Sequence, residues 1–431
     1  MKAAFYTLGC KVNQYESQVL AQHFSAAGYE VVAWSAPAQV YVINSCTVTA
    51  QGEKKAAQLV RRLRRERPGA LVALCGCWPQ AFPEKVLELG ADVVAGTARS
   101  RLVELVRRAV ETGRQVVEII PHSPKEAFEP MRATAMEGHT RAFVKIEDGC
   151  DRFCSYCIIP YARGRVRSKP LEELKGEIEL LAQQGFREIV LTGINLSSYG
   201  KGEGFGLLDG VKTAAAVPGV QRVRLGSLEP DLTDDELIEG LAQVDQFCPQ
   251  FHLSVQSGCD ATLKRMNRRY TAEEYLQLCQ KLRRAFDMPA ITTDLMVGFA
   301  GETEEEFART LSFLEQAGFA KVHVFPYSRR PGTAADRMEG QVTEEEKARR
   351  AARAAQAAEQ SQRAFLQQMV GRIEPVLFER CNLPGIGRGH TPNGTQVQVN
   401  CDHPLRGRLL TVRLEGVTPD GLYCAGRILD L

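Results

Sequence analysis

Three cysteines in the middle of the chain have a spacing that suits an iron–sulfur cluster. Cys150, Cys154 and Cys157 form a CxxxCxxC run directly after an apolar segment, and no further cysteine follows before Cys248. Three thiolates can bind three irons of a cubane and leave the fourth iron open to a substrate or cofactor. The spacing therefore predicts a cluster with an open iron.

A zinc site is the alternative interpretation of the same cysteines. Cys248, Cys259 or a histidine could complete it from a distant part of the chain. Structural zinc usually draws on paired CxxC motifs or on CxxC with histidines, and the seven histidines show no such pairing. The iron–sulfur interpretation is therefore favoured.

Three more cysteines occupy equivalent positions nearer the N-terminus. Cys10, Cys46 and Cys77 each stand just past an apolar, strand-like run. Because the carboxyl ends of parallel strands share one edge of a sheet, these thiols are predicted to converge into a second three-thiolate site. The alternative for each is a small buried hydrophobic residue, which is the interpretation we keep for Cys75 inside its strand.

Other residues near the predicted strand ends and the cysteine run could bind a cofactor. Polar side chains and glycines at strand ends let a cofactor approach the backbone, although simple turn chemistry is the alternative. The basic run 161–169 places four cations beside the cluster motif, where arginine could bind a carboxylate or phosphate or simply be solvated. The candidate cofactor-binding residues are Tyr156, Arg163, Thr192, Gly193, Ser254, Gln256 and Asp294.

Basic residues also cluster in three further places, although the formal net charge is only +2. Runs at 264–269 and 328–330 follow the fourth and sixth predicted strands of the middle segment. A helical pattern near the N-terminus adds Lys54, Lys55, Arg61, Arg62, Arg64 and Arg65. Together these cations could line a path for a phosphate backbone, whereas singly such runs are usually solvated faces.

Length and cysteine use limit the class of protein. A chain of 431 residues is too long for one ordinary core and predicts two or three domains. Thirteen cysteines, an odd number, do not suggest a disulfide framework and favour a reducing cytoplasm. The sequence shows no secretory segment and no apolar run of about 18 residues, so we expect a soluble protein without membrane association.

The chain predicts an α/β fold with three folded parts. Short β-rich runs alternate with helical patterns over residues 1–120, which is typical of a Rossmann- or flavodoxin-like domain. Residues 121–140 are predicted as a linker, because the region from 113 onward mixes prolines, glycines and charges without a clear period. Six βα units over 141–342 predict a partial (β/α)6 barrel of the TIM type. Their strands are expected at 142–147, 188–193, 221–226, 251–256, 291–298 and 321–327.

Capping signals and glycine-rich turns define the remaining elements. Capping boxes that begin at Thr233, Thr271, Thr303 and Thr343 predict helix starts. The last of them opens a connecting helix over 343–368. Residues 369–431 contain four β-like runs between glycine and proline turns, which predict a small C-terminal β-barrel.

Several of these segments resemble one enzyme family. The Cys150 run resembles the cluster motif of radical S-adenosylmethionine (SAM) enzymes, and LGCKVNQYES at 8–17 resembles the opening motif of methylthiotransferases. The C-terminal barrel resembles the RNA-binding TRAM domain. Two departures are Ala300, where the family usually has proline, and the weakly basic segment 369–431, with seven Arg, no Lys and six acidic residues. Further matches lie at 42–49, 76–77, 162–164, 191–193, 256–258 and 325–328.

The resemblance implies a reaction and its cofactors. It implies that Cys150, Cys154 and Cys157 hold a 4Fe–4S cluster that reduces SAM to the 5′-deoxyadenosyl radical. It also implies that Cys10, Cys46 and Cys77 hold a second 4Fe–4S cluster, which carries a sulfur that a second SAM methylates. The segment 11–13 is most similar to the branch that acts on N6-threonylcarbamoyladenosine (t6A) at position 37 in the anticodon loop of tRNA.

The implied partners are tRNA, a reductant such as flavodoxin and a sulfur donor that the sequence does not identify. Within the family, the alternative substrates are isopentenyladenosine in tRNA and an aspartate of a ribosomal protein. A non-catalytic, zinc-stabilised RNA-binding protein is the alternative from a different class.

Overall fold

The structure is a computed structural model that describes residues 1–382 and 385–429. Its N-terminal part is a six-stranded parallel sheet in the order β2-β1-β3-β4-β5-β6. These strands are β1 Lys2–Thr7, β2 Glu30–Val32, β3 Val40–Ser45, β4 Leu71–Gly76, β5 Val93–Ala95 and β6 Val116–Glu118. The helices are α1 Lys11–Ala26, α2 Ala50–Glu66, α3 Cys77–Ala81, α4 Pro83–Leu87 and α5 Leu102–Thr112.

Both faces of this sheet are buried, which explains why the first four residues of β3 are all apolar. Val40 and Val42 pack on the face covered by α1 and α5. Tyr41 and Ile43 pack on the opposite face, against α2. Helices on both faces of a parallel sheet in this order confirm the flavodoxin-like prediction. Strand β6 was not predicted, because it lies in the region after residue 113, where the sequence shows no clear period.

The middle of the chain forms six parallel βα units, as predicted. Its strands are β7 Ala142–Lys145, β8 Glu147–Asp148, β9 Arg167–Ser168, β10 Glu188–Thr192, β11 Arg222–Leu225, β12 Ser227–Leu228, β13 Gln250–Leu253, β14 Ala290–Val297 and β15 Lys321–Pro326. Its helices are α6 Ile159–Arg163, α7 Leu171–Gln183, α8 Leu207–Ala215, α9 Asp235–Ala242, α10 Asp260–Arg265, α11 Ala272–Ala285 and α12 Glu304–Ala317. Short 3-10 helices cover Leu196–Ser198, Pro230–Leu232 and Ala334–Arg337.

The third barrel strand changes partner halfway along its length. Its first half, β11, pairs with β10, and β10 pairs with β7. Its second half, β12, pairs with β13 and continues the sheet to β14 and β15. Among the described strands, β7 and β15 do not pair with each other, so the barrel is open as predicted.

The C-terminal part is a closed five-stranded barrel preceded by one long helix, α13 Glu344–Met369. The strands are β16 Ile373–Cys381, β17 Gly385–His390, β18 Gln396–Cys401, β19 Leu409–Val417 and β20 Cys424–Ile428. The predicted small barrel is confirmed. The sequence missed β17, whose glycine-rich GIGRGH run lacks apolar alternation. Residues 383–384 and 430–431 of the predicted segment lie outside the described residues.

The predicted linker has no regular structure but is firmly packed. Met131, Ala133 and Met136 are buried in the main core. The Tyr15 hydroxyl donates to the Met131 carbonyl at 2.8 Å, and the Ala133 amide donates to Glu177 at 2.8 Å. The segment therefore ties α1 to α7, while the domain boundaries on either side of it stay a prediction.

The helix starts follow the predicted N-caps with one exception. Helix α9 is capped by Asp234, whose carboxylate accepts from the Leu237 amide at 2.9 Å. The predicted cap, Thr233, instead donates to the Glu229 carbonyl at 2.9 Å. Aspartate is at least as good an N-cap as threonine, so the next residue takes the role. The confirmed N-caps are Thr271, Thr303 and Thr343. No helix within 1–382 or 385–429 has the length and apolarity to cross a membrane.

Candidate cluster sites and the central cavity

The structure brings Cys150, Cys154 and Cys157 together in the loop after β8. The Cys157 amide donates to the Cys154 carbonyl at 2.9 Å, and the Cys150 amide donates to the Gly164 carbonyl at 3.0 Å. Burial raises the pKa of Cys150 to about 12, and the nearby Cys154 thiol contributes to the increase. Burial likewise raises the pKa of Cys157, with contributions from the other two thiols. Binding of iron to these thiols would therefore release protons.

A buried arginine that was not among the candidate site residues lies beside this cysteine trio. Nη1 of Arg268 donates to Sγ of Cys154 at 3.3 Å. Its Nη2 donates to Glu229 at 2.6 Å and to the Ser254 carbonyl at 3.0 Å. A fixed positive charge next to a thiolate stabilises the ionised form that binds metal. The signal was present in the basic run 264–269, but nothing in that run separates Arg268 from its neighbours.

Two predicted cofactor residues near this trio have environments that suit a polar ligand. Gln256 has a left-handed backbone with φ of +68°, and its Oε1 is buried without a hydrogen-bond partner among the described residues. Buried polar atoms are nearly always paired, so this oxygen suits a ligand donor. Tyr156 packs edge-on against Phe299, with ring centroids 6.3 Å apart. Both arrangements are compatible with a SAM molecule bound beside the cluster.

The structure also brings the second trio together, at the carboxyl edge of the N-terminal sheet. Cys10 caps α1, Cys46 follows β3, and Cys77 begins α3. A Cβ added to Gly9 would lie only 2.8 Å from the Cys46 Cβ, so the first two loops are in contact. Burial raises the pKa of Cys46 to about 12, and the nearby Cys77 thiol makes a smaller contribution to the increase. The convergence expected from parallel strands is therefore present.

Arg163 lies at the Cys10 trio, which differs from the role expected for it. Its Nε donates to Sγ of Cys77 at 3.2 Å, and its Nη2 donates to Oδ1 of Asn13 at 3.0 Å. Its Nη1 donates to Glu16 at 2.7 Å and to Asp148 at 3.1 Å. The side chain is fully buried and its donors are engaged by protein groups, so it is not free to bind the carboxylate of a cofactor.

Glu16 is the centre of a buried charge network that the sequence did not reveal. Its carboxylate accepts from Arg163 at 2.7 Å, from Arg99 at 3.0 Å and from Lys145 at 3.1 Å. Burial alone would raise the pKa of Glu16, but the three cations lower it to about 2. The network joins α1 to the barrel directly behind the Cys10 trio. Its members come from four separate segments, and no local pattern connects them.

A large cavity extends from Cys10 through the interior of the open barrel to the C-terminal barrel. Its volume is about 940 Å³. Thr192, Gly193 and Asp294 of the predicted set line it, whereas Ser254 and Gln256 are not among its lining residues. Nε2 of His252 lies 3.4 Å from Oδ2 of Asp294. Burial opposes ionisation of Asp294, but the contact with His252 lowers its pKa below the usual value.

The ligand types of both trios fit an iron–sulfur cluster. Within residues 1–382 and 385–429, no three His, Cys, Asp or Glu side chains converge on one point that could hold a single metal ion. A cubane requires a different arrangement of ligands. Each thiolate binds a different iron, so the three cysteine sulfurs lie further apart than the ligands of a single metal ion. Each trio offers only thiols, the ligand class that iron–sulfur clusters prefer.

Substitution of Gly149 by alanine is expected to damage the Cys150 site. Gly149 has a φ of +88°, and an added Cβ would lie 1.9 Å from the backbone oxygen of Arg165. The strain of about 1–3 kcal/mol and the clash should displace the adjacent Cys150. We expect loss of the iron held at the Cys150 site after anaerobic reconstitution, measured by iron analysis against the wild-type chain. Gly185→Ala is the matched control, since its φ is +89° but nothing lies within 4 Å of the new Cβ. Equal iron in both variants would contradict the prediction.

Comparison with known proteins identifies the family. Residues 144–314 match the Radical SAM superfamily, and residues 2–96 match a family described as Uncharacterized protein family UPF0004. The threonylcarbamoyladenosine tRNA methylthiotransferase MtaB of Thermotoga maritima is 39% identical over 385 residues, which cover 89% of this chain and 88% of the relative. The chain belongs to the radical SAM methylthiotransferase family. It is therefore an enzyme of the transferase class that uses a 4Fe–4S cluster and SAM.

A second relative agrees with this assignment, and a solved structure agrees with the fold. The tRNA-2-methylthio-N(6)-dimethylallyladenosine synthase of Syntrophotalea carbinolica is 36% identical over 425 residues, covering 95% of this chain and 97% of the relative. The radical SAM methyltransferase TsrM from Kitasatospora setae, solved with cobalamin and a 4Fe–4S cluster, aligns with a TM-score of 0.57 at 16% identity. That alignment covers 78% of this chain and 76% of TsrM, and it supports the fold.

Proposed function

We propose that this enzyme converts t6A at position 37 of tRNA to its 2-methylthio derivative, using two 4Fe–4S clusters and two molecules of SAM. The observation that carries the proposal is that the cysteines gather into two separate thiol trios, with the buried Arg163 of α6, the helix that follows Cys157, donating to Cys77 of the other trio. The substrate is the one named for the relative from Thermotoga maritima, and the KVN segment at 11–13 supports the same branch.

The proposal assigns the six cysteines to two clusters. Cys150, Cys154 and Cys157 would hold the cluster that binds SAM, and Cys10, Cys46 and Cys77 would hold the cluster that carries sulfur. When bound, these groups supply hydrogen-atom abstraction from C2 of the adenine and transfer of a methylthio group. C2 carries no acidic proton, so a side-chain base could not activate it.

The protein's own contribution is to hold and orient these groups. Arg268 places a positive charge at Cys154, and Arg163 places one at Cys77. We infer that SAM contacts the Tyr156 ring and the Gln256 oxygen, which has no hydrogen-bond partner among the described residues. Thr192, Gly193 and Asp294 line a cavity large enough for the nucleoside. Alignment of reacting groups of this kind can lower a barrier substantially without any proton transfer.

We infer that the anticodon loop reaches the cavity with help from exposed basic residues, and that a reductant such as flavodoxin delivers electrons in the cytoplasm. Not all cations of the predicted basic clusters are available for RNA. Arg265 and Arg330 of the predicted clusters form internal ion pairs with Glu306 and Glu53. The exposed cations of α2 are better placed for a phosphate backbone, namely Lys54, Lys55, Arg61, Arg62 and Arg65. The sulfur donor is not identified.

Nucleoside analysis of tRNA tests the substrate. A strain without the gene should accumulate t6A and lack its 2-methylthio derivative when nucleosides are analysed by mass spectrometry. Expression of the wild-type chain in that strain should restore the derivative. Persistence of the methylthio derivative in the deletion strain would exclude the assignment.

Methylthiolation of isopentenyladenosine is the second candidate function. The Syntrophotalea carbinolica relative, whose name refers to dimethylallyladenosine, is nearly as similar to this chain as the Thermotoga maritima protein. The same mass spectra separate the two, because only one of the methylthio nucleosides should disappear. Iron and sulfide analysis addresses the second cluster, since two cubanes predict about eight irons per chain.

A further inference from the structure

Lys11 lies where it could meet the substrate of the proposed reaction. It directly follows Cys10 and lines the central cavity together with Gly9, Thr192 and Gly193. The side chain is exposed to the space inside the cavity. The cavity volume of about 940 Å³ lies within the range of about 300–1,000 Å³ that small-ligand sites usually have. Lys11 and Cys10 therefore line the same cavity, which is large enough for a modified base.

Lys11 differs from most of the other cations of this cavity because no acidic side chain of the described residues forms an ion pair with it. Arg224 pairs with Glu188 at 2.8 Å, and Arg141 pairs with Glu379 at 2.8 Å. His390 and His252 also lie within 4.0 Å of carboxylates. For Lys11, the described residues provide neither an ion pair nor a side-chain hydrogen bond. An ammonium that lines a cavity without a directly paired carboxylate favours an anionic ligand group.

The proposed substrate offers such a group close to the reacting atom. The threonylcarbamoyl substituent of t6A ends in a carboxylate. Its ureido N–H can donate to ring N1, which directs the threonyl part toward the edge of the adenine that carries C2. A base placed with C2 near the Cys10 trio would therefore bring its carboxylate into the neighbourhood of Lys11. An isopentenyl group is a hydrocarbon and would leave the ammonium unpaired.

We propose that Lys11 binds the carboxylate of t6A and thereby selects this nucleoside over its isopentenyl counterpart. The inference rests on the proposed function and adds a specificity-determining residue to it. A site built to pair with a charged or polar group of the substrate rejects an analogue that lacks that group more strongly than an apolar pocket rejects a missing methylene. Lys321, the other cavity lysine for which the described residues provide no ion pair, begins β15 and is not a neighbour of Cys10 in the sequence.

Binding of short RNAs tests this role. Anticodon stem-loops with t6A or its methyl ester at position 37 are titrated against cluster-loaded wild-type enzyme and Lys11→Gln, with Kd measured by fluorescence anisotropy. The wild-type enzyme should bind the acid roughly ten- to hundredfold more tightly than the ester, because a charge-assisted hydrogen bond is lost. Lys11→Gln should bind the acid and the ester with nearly equal Kd. A merely structural role for Lys11 would weaken both RNAs together.

Controls separate the possible failures. Lys212→Gln removes an exposed charge on α8 and should retain the wild-type preference for the acid. Iron content confirms that Lys11→Gln still carries its clusters. A Lys11→Gln enzyme that keeps the preference, or a Lys321→Gln enzyme that loses it instead, overturns the role of Lys11 and leaves the proposed function intact. A wild-type enzyme that fails to methylthiolate the t6A stem-loop overturns the proposed function as well.

Discussion

Cys154→Ala is expected to abolish reductive cleavage of SAM, whereas Cys46→Ala should retain cleavage and lose only methylthiolation. The two thiols belong to different trios, and the proposed function assigns each trio to a separate cluster. Removal of one ligand from a three-cysteine set should prevent stable cluster binding at that set and spare the other. Methylthiolation should be undetectable in both variants. Cys154→Ala should fail at the cleavage of SAM, whereas Cys46→Ala should fail only at the later transfer of the methylthio group.

Separate measurements of 5′-deoxyadenosine and of methylthiolated RNA distinguish the two steps. Anaerobically reconstituted Cys154→Ala should produce neither compound, and Cys46→Ala should produce 5′-deoxyadenosine alone. Cys75→Ala is the matched control, because Cys75 is a buried thiol of β4 that belongs to the apolar core. It should support both steps. Methylthiolation by Cys46→Ala, or full turnover by Cys154→Ala, would contradict the assigned ligand sets.

Glu16→Ala is expected to cause the largest loss of stability of any single change at the charge network. Its removal leaves Arg163, Arg99 and Lys145 close together in the core with too few counter-charges. Breaking a buried ion pair in this way typically costs about 3–5 kcal/mol. Because Arg163 also contacts Cys77, we expect loss of iron from the Cys10 site in addition to a lower midpoint of unfolding.

Denaturant unfolding of the cluster-free chain, followed by circular dichroism, measures the stability effect. Glu104→Ala provides the control, because Glu104 forms an exposed ion pair with Arg101 on α5 and its removal should leave the midpoint almost unchanged. Iron analysis of the reconstituted variants supplies the second readout. Equal midpoints for the two variants would show that the remaining acids, chiefly Asp148, satisfy the cations without Glu16.

The sequence predicted the backbone framework because that framework depends on local patterns. Alternating strand and helix signals with capping residues specify parallel βα units, and parallel units place strand ends on one edge. The Cys10 trio follows from that rule, since Cys10, Cys46 and Cys77 each stand just past a recognisable strand, whereas the Cys150 trio follows from its CxxxCxxC spacing. Strand β17 was missed for the opposite reason, because its glycines carry no side-chain pattern and its pairing partners alone define it.

Residues whose roles depend on contacts between distant segments could not be predicted. Arg163 was expected beside the nearer trio because it follows Cys157 closely in the chain, yet helix α6 directs it toward Cys77. Glu16 and Lys145 are 129 positions apart and meet only after the N-terminal sheet and the barrel have packed together. A charged residue in a sequence is usually solvated, so nothing marks these few as buried.

The contacts of Arg163 between the N-terminal part and the barrel affect how chimeras of this enzyme and its relatives could be built. Asn13 and Glu16 of the N-terminal part meet Arg163, Asp148 and Lys145 of the barrel as one matched set of donors and acceptors. A chimera that exchanges the first hundred or so residues would inherit only half of that set. A chimera made to change substrate preference should therefore include both sets of contact residues, or restore complementary charges between the two parts. Only then can a change in selectivity be interpreted.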